Sequence, residues 1–148
     1  MPHSFKKIWI HAIWSTKERQ PFISGSVENK IYTFLREEFI ALGCPVRIIN
    51  GMPDHVHSLF LLNPQKAITD VLKYVKGSSS HSVNSQNLIT KKFSWQRGYA
   101  AYSVSESQLE RAFHYIRNQK QHHQKKTYFQ EHEELLALHG LMGIEPSS

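Results

Sequence analysis

Val46-Arg47-Ile48-Ile49-Asn50-Gly51-Met52-Pro53-Asp54-His55-Val56-His57-Ser58-Leu59-Phe60-Leu61-Leu62 is the stretch on which the fold turns. Val46 to Asn50 reads as a strand, Gly51 to Asp54 as a turn punctuated by Gly and Pro, and His55 to Leu62 as a second strand, so the two form a hairpin. Upstream, Ile8 to Trp14 reads as another strand. Ser24 to Ser26 opens a helix in which Ile31, Phe34, Leu35, Phe39 and Leu42 follow helical spacing, and Gly43 ends it. Downstream, Ile68, Val71, Leu72 and Val75 predict a helix ending near Gly77, with Ser78 to Thr90 a loop or frayed helix end. Trp95 to Val104 carries one or two further strands. Ser105 with Gln108 is a capping-box signature for a helix reaching roughly to His122, and Thr127 with Gln130 repeats it for a last helix that stops at Gly140. The order β-α-β-β-α-β followed by helices is the ferredoxin-like split pattern of the α+β class. It predicts an antiparallel sheet with two helices on one face. The other face is left for a ligand, a partner subunit or the late helices. No repeat or linker divides the chain, so a single domain over 1–148 is expected.

The hairpin also carries chemistry. Alternate residues of a strand share a face, so His55 and His57 point the same way with roots about 7 Å apart. Two imidazoles at that spacing can converge on one cation. A His-x-His pair is also compatible with ordinary surface or hydrogen-bonded core histidines, so it needs a third ligand before it means much.

Composition narrows the classes. The chain has 148 residues, 40% of them hydrophobic, which fits a folded domain with a core. No apolar run is long enough to cross a bilayer, and the N-terminus lacks a signal-peptide core, so a cytoplasmic location is expected. Cys44 is the single cysteine, which excludes an intrachain disulfide and a cysteine-rich zinc site. The net charge of +6 is unevenly spread: Lys73 to Lys126 holds ten Lys or Arg residues against Glu106 and Glu110. Such a segment suits a polyanion, although a solvated basic surface has the same composition.

In the helix after Ser105, Leu109, Ala112, Phe113 and Ile116 form the apolar stripe. Tyr115 lies off it, aligned with Arg111 and Gln119 one turn either side. If that face docks on the histidine strand, the Gln119 side-chain oxygen completes a metal site and Tyr115 stands about 6 Å away along the helix as a nucleophile. Tyr99, Tyr102 and Tyr128 are competing candidates.

Taken together, His55-Val56-His57 and Tyr115-Ile116-Arg117-Asn118-Gln119 resemble the two signatures of the single-tyrosine HUH transposases. These are the TnpA type of small bacterial insertion sequences, with their REP-associated tyrosine transposase relatives. Gly51-Met52-Pro53-Asp54, Lys76-Gly77-Ser78-Ser79 and Trp95-Gln96-Arg97-Gly98-Tyr99 look familiar in the same way, and the likeness runs from about Ile8 to Gly140. The resemblance implies a ferredoxin-like core and a homodimer in which one subunit's tyrosine helix can complete the other's site. It also implies a divalent metal, Mg²⁺ or Mn²⁺, and recognition of single-stranded DNA hairpins at element ends.

On that resemblance Tyr115 is the expected catalytic nucleophile, giving a 5′-phosphotyrosine and a free 3′-hydroxyl. His55, His57 and Gln119 are the expected metal ligands. Two imidazoles suit Mn²⁺ better than Mg²⁺. The tyrosine must lose a proton, and Arg111, Arg117 or a metal-bound water are all open as helpers. DNA contact is expected from Lys73, Lys76, Lys91, Lys92, Arg97, Arg111, Arg117 and Lys120, with Trp95 and Tyr99 either stacking on bases or sitting in the core. The alternatives are a domesticated hairpin-binding module and a phosphoesterase that uses water.

Overall fold

The computed structural model describes residues 6–122 and 128–140. Strands β1 (Trp9–Ser15), β2 (Val46–Met52), β3 (His55–Leu61) and β4 (Ala100–Val104) form one antiparallel sheet in the order β2-β3-β1-β4. Helix α1 (Ser26–Ala41) lies between β1 and β2 in the chain, and α2 (Ile68–Ser85) between β3 and β4. After β4 come α3 (Leu109–Arg117), α4 (Gln119–His122) and α5 (Tyr128–Leu138). This is the ferredoxin-like arrangement expected from the element order.

Strand alternation divides the sheet into two differently used faces. Ile10, Ala12 and Trp14 of β1 and Val56 and Phe60 of β3 pack against Ile31, Leu35 and Phe39 of α1 and Val71, Leu72 and Val75 of α2. Phe39 and Phe60 meet there with ring centroids 4.5 Å apart. Leu59 and Val104 face the other way and pack against Leu109, Ala112 and Ile116 of α3. His55 and His57 share this second face, so the late helices cover the histidines.

The hairpin is tighter than the sequence suggests. Gly51 pairs with Val56 and Met52 with His55, leaving only Pro53 and Asp54 as the turn. The close approach explains Gly51: a Cβ there would stand 2.2 Å from the His55 carbonyl oxygen and 2.8 Å from the Val56 Cα.

Two expectations need correction. Helix α2 continues past Gly77 to Ser85, because tertiary packing outweighs the glycine and the serines. Val83 is buried, and the Trp95 indole donates to the buried Ser79 hydroxyl at 2.9 Å. Ser79 and Ser80 donate in turn to carbonyls three residues back within the helix. The expectation of one or two strands in Trp95 to Val104 is met by one strand plus an isolated bridge from Thr16 to Trp95. Second, the Ser105 capping box does not form. Residues Glu106–Gln108 make a 3-10 turn without a side-chain cap, and Ser105 Oγ meets Ser107 Oγ instead. The expected long helix also breaks at Asn118 into α3 and α4. Thr127 lies outside the described residues, while Gly140, at φ +69°, follows α5 as anticipated. Among the described residues no helix is long and apolar enough to cross a membrane.

Candidate metal centre and nucleophile

Register puts His57 in mid-sheet, opposite Ile13 of β1 and Asn50 of β2, and His55 at the mouth of the hairpin, opposite Ser15 and Met52. Both rings are buried, 5.3 Å apart between centroids. Helix α5 lays a third donor over them. Glu131 Oε1 is 3.1 Å from His57 Nε2, and Glu131 Oε2 is 3.8 Å from His55 Nε2. One donor atom from each of the three residues lies within 4.8 Å of the others. Donors around a small divalent cation stand roughly 3–4.4 Å apart at ligand distances of 2.0–2.2 Å. The two imidazole–carboxylate distances fall in that range, so this buried group of two imidazoles and a carboxylate could hold such an ion.

The nitrogens that face away from Glu131 are engaged as well. His55 Nδ1 is 2.8 Å from Asp54 Oδ1, and Arg19 Nε donates to Asp54 Oδ2 at 3.1 Å. Partial burial alone would raise the Asp54 pKa, but the His55 hydrogen bond and charge, together with Arg19, hold it below the usual carboxylate value. Glu18 and Arg19 both sit at positive φ, 56° and 54°, so local backbone strain accompanies the delivery of Arg19 to Asp54. His57 Nδ1 is 2.9 Å from Nε2 of the fully buried His11. His11 Nδ1 in turn is 2.8 Å from His139 Nε2. Burial, then the neighbouring imidazoles, push the His11 pKa well below its ordinary value.

Tyr115 projects from α3 onto the same spot. Its hydroxyl donates to Glu131 Oε1 at 3.1 Å, and its ring centroid is 5.8 Å from that of His57. Burial raises the phenol pKa above its ordinary value, and the charge and hydrogen bond of Glu131 raise it further, with Gln119 pulling weakly the other way. Gln119 is fully buried, and among the described residues its amide oxygen and nitrogen have no hydrogen-bond partner of good geometry. Among the described residues this buried amide, beside Tyr115, keeps capacity for a ligand.

The break at Asn118 is clamped to the sheet. Asn50 Nδ2 donates to the Ile116 and Arg117 carbonyls at the end of α3. Lys120 Nζ donates to Glu28 Oε1 at 2.6 Å, Asn50 Oδ1 at 2.8 Å and the Gly51 carbonyl at 3.2 Å. These contacts hold the Tyr115–Gln119 turn against the chain's own β2.

The other sequence candidates separate by place. Arg97 and Tyr99 line a cleft of about 270 Å³ together with Arg19, His55, His57 and Glu131. Lys73 and Lys76 border a neighbouring cleft that shares Arg97 and Tyr99. The Lys76 ammonium donates to the Gln96 and Gly98 carbonyls, both at 2.8 Å. Arg111 and Arg117 are exposed on α3, and Lys91 and Lys92 are exposed before Trp95. Trp95 itself is core, packed edge-on against Trp14 and Phe93. Spacing alone does not exclude Tyr128, which has His132 four residues on. What favours Tyr115 is its contact with Glu131.

Sequence reasoning missed Glu131, His11, Asp54, Arg19 and His139. Strand alternation could have found His11, which shares the parity of Trp9, Ile13 and Ser15. Nothing local marks Glu131, because its role depends on how α5 docks.

Residues 4–119 match the family described as Transposase IS200 like. The ISDra2 transposase TnpA of Deinococcus radiodurans is 33% identical over 114 residues, covering 74% of this chain and 81% of that protein. Among solved structures, a transposase described as putative, from Deinococcus radiodurans R1, superposes with a TM-score of 0.65 at 27% identity, covering 80% of this chain and 95% of that one. A REP-associated tyrosine transposase bound to a REP hairpin superposes with a TM-score of 0.53 at 11% identity, covering 78% of this chain and 68% of that one, a likeness of fold alone.

Proposed function

The chain belongs to the IS200-like transposase family, and from that premise we propose that it cuts and rejoins single-stranded DNA at hairpin-flanked ends through a covalent bond to Tyr115. The observation that carries this reading is the contact of the Tyr115 hydroxyl with Glu131, at the oxygen that also meets His57. A nucleophile and a metal-binding cluster share one buried point.

His55 and His57 would hold a divalent cation, Mn²⁺ or Mg²⁺. Glu131 is the third donor in the observed arrangement, and the buried Gln119 amide oxygen beside Tyr115 would be a further one. Bound there, the cation supplies positive charge that polarises and orients the scissile phosphate. The residues do the rest. Tyr115 Oη bonds to phosphorus as the bond from phosphorus to the 3′ oxygen breaks, and the 3′ oxygen takes up the proton that the phenol gives up, leaving a 5′-phosphotyrosine and a free 3′-hydroxyl. With its pKa raised, the phenol begins protonated, and Glu131 Oε1 already accepts its hydrogen bond and is placed to receive the proton. A 3′-hydroxyl from another end reverses the exchange and joins new strands.

DNA would run along the basic clefts next to the site, where Lys73, Arg97 and Tyr99 are exposed. A hairpin ligand accords with the REP hairpin bound by the structural relative. A homodimer is part of the proposal, as is a cytoplasmic location.

The test is to incubate the protein with hairpin-bearing single-stranded DNA and Mn²⁺ and resolve the products on a denaturing gel. A covalent adduct that disappears in Tyr115→Phe supports the proposal. Cleavage that persists in Tyr115→Phe would assign the chemistry to water instead. Binding without cleavage would reduce the protein to a hairpin-binding module.

A further inference from the structure

His11 stands in β1 opposite Leu59, on the face of the sheet that carries His57. It is completely buried, although nothing about packing an apolar strand asks for an imidazole there. Its two nitrogens are both engaged: Nε2 lies 2.9 Å from His57 Nδ1 and Nδ1 lies 2.8 Å from His139 Nε2. His139, just past α5, is stacked on Tyr102 with ring centroids 4.3 Å apart and planes 10° from parallel. A row of imidazoles thus runs from the end of α5 to the centre of the sheet.

A histidine that binds a cation through Nε2 must leave that nitrogen bare, so its hydrogen resides on Nδ1 and needs an acceptor. For His55 the group at Nδ1 is the Asp54 carboxylate. For His57 it is His11. With Nε2 accepting, His11 carries its own hydrogen on Nδ1, and His139 Nε2 is placed to accept that one. The row has a single consistent polarity once His57 Nε2 is bare.

We propose that His11, backed by His139, is a positioning residue that fixes the ring plane and tautomer of His57 so that Nε2 is presented to the cation. This rests on reading His55 and His57 as metal donors. His11 acts through His57, to which it is hydrogen-bonded; from Tyr115 it stands off, with ring centroids 6.3 Å apart.

The test uses two polar substitutions of different reach. Gln places its carboxamide oxygen about where His Nε2 lies, whereas Asn stops one bond short. Mn²⁺ binding to the full chain without DNA is measured by calorimetry for wild type, His11→Gln, His11→Asn and His57→Ala, with thermal melts of the metal-free proteins. The expected result is affinity within about threefold of wild type for His11→Gln and a loss of roughly 10–100-fold for His11→Asn, the range usual for partners of metal-binding histidines. In ¹⁵N-histidine spectra with Zn²⁺ as a diamagnetic probe, His57 carries its hydrogen on Nδ1 in wild type and His11→Gln. A folded His11→Asn that binds Mn²⁺ like wild type, while His57→Ala does not, overturns the inference and leaves the metal site standing. Should His57→Ala leave Mn²⁺ binding unchanged, the metal reading fails and the inference falls with it. Should His11→Asn not fold, His139→Ala replaces it, with a smaller loss of affinity expected and no loss contradicting the relay.

Discussion

Tyr115 and Glu131, sixteen residues apart on different helices, meet through a 3.1 Å hydrogen bond from the phenol to Oε1. The same oxygen lies 3.1 Å from His57 Nε2. Helix α5 therefore ties Tyr115 to the histidine pair. Glu131→Gln keeps the shape and removes the charge, so Mn²⁺ affinity should fall at least about tenfold. Gln119→Ala should weaken metal dependence of cleavage more than DNA binding. Calorimetric titration of both variants checks this, and an unchanged Mn²⁺ affinity in Glu131→Gln would remove Glu131 from the donor set.

His55→Ala and His57→Ala should each abolish cleavage while leaving retention of hairpin DNA at low salt largely intact. The two histidines lie on the sheet, beside the exposed cations that would contact phosphate rather than among them. A filter-binding assay run beside a cleavage assay measures both. Equal loss of binding and cleavage in a variant that still folds would contradict the separation.

Stability of the metal-free protein should fall as pH drops from about 6.5 towards 4. Burial, and secondarily His57, lower the His139 pKa from 6.5 to about 4. The unfolded chain accepts that proton first, so the contribution is complete above the ordinary value and is lost as pH falls through the folded one. His11, shifted in the same direction, adds to the slope. Urea midpoints of wild type and His139→Asn at pH 7.5 and 5 read this out: the midpoint should drop less in the variant, and an equal drop would contradict the account.

Gly51→Ala should destabilise the fold by at least about 1–3 kcal/mol, since the added methyl meets backbone that cannot move aside cheaply. The atom it strikes is the His55 carbonyl, so Mn²⁺ affinity should fall along with the urea midpoint. A variant of wild-type stability would show that the hairpin is looser than described.

DNA affinity should decline steeply and linearly on logarithmic axes with salt. Replacing Lys73 or Arg97 with Ala should reduce that slope by about one phosphate contact each. Lys120→Ala should act differently, by loosening the α4 junction, because its ammonium is held by Glu28 and Asn50. Fluorescence anisotropy across a salt series distinguishes the two effects.

Much of the fold, and part of the candidate site, is legible in the sequence. The sheet was legible because two runs rich in Val, Ile, Leu and Phe, Val46 to Asn50 and His55 to Leu62, are separated by a turn with Gly51 and Pro53. The His55–His57 pair was legible because strand parity is unambiguous. Tyr115 stood out by lying off the stripe of Leu109, Ala112 and Ile116. The end of α2 was not legible, since Gly77 and three serines look like a stop and only Val83 and the Trp95–Ser79 contact show why the helix continues. Glu131 was hidden for a related reason. The Thr127–Gln130 signature announces a last helix but not which of its acids faces the histidines. The Ser105 capping box misled because a 3-10 turn precedes α3 and takes the place where the cap would act.

The most direct measurement digests the DNA adduct with protease and locates the nucleotide by mass spectrometry. A 5′-phosphorylated nucleotide on the peptide that contains Tyr115, formed only with divalent metal and absent in His57→Ala, is the expected result. The same modification on Tyr99, Tyr102 or Tyr128, or strand cleavage with no tyrosine modified, would contradict the claim that Tyr115 is the nucleophile.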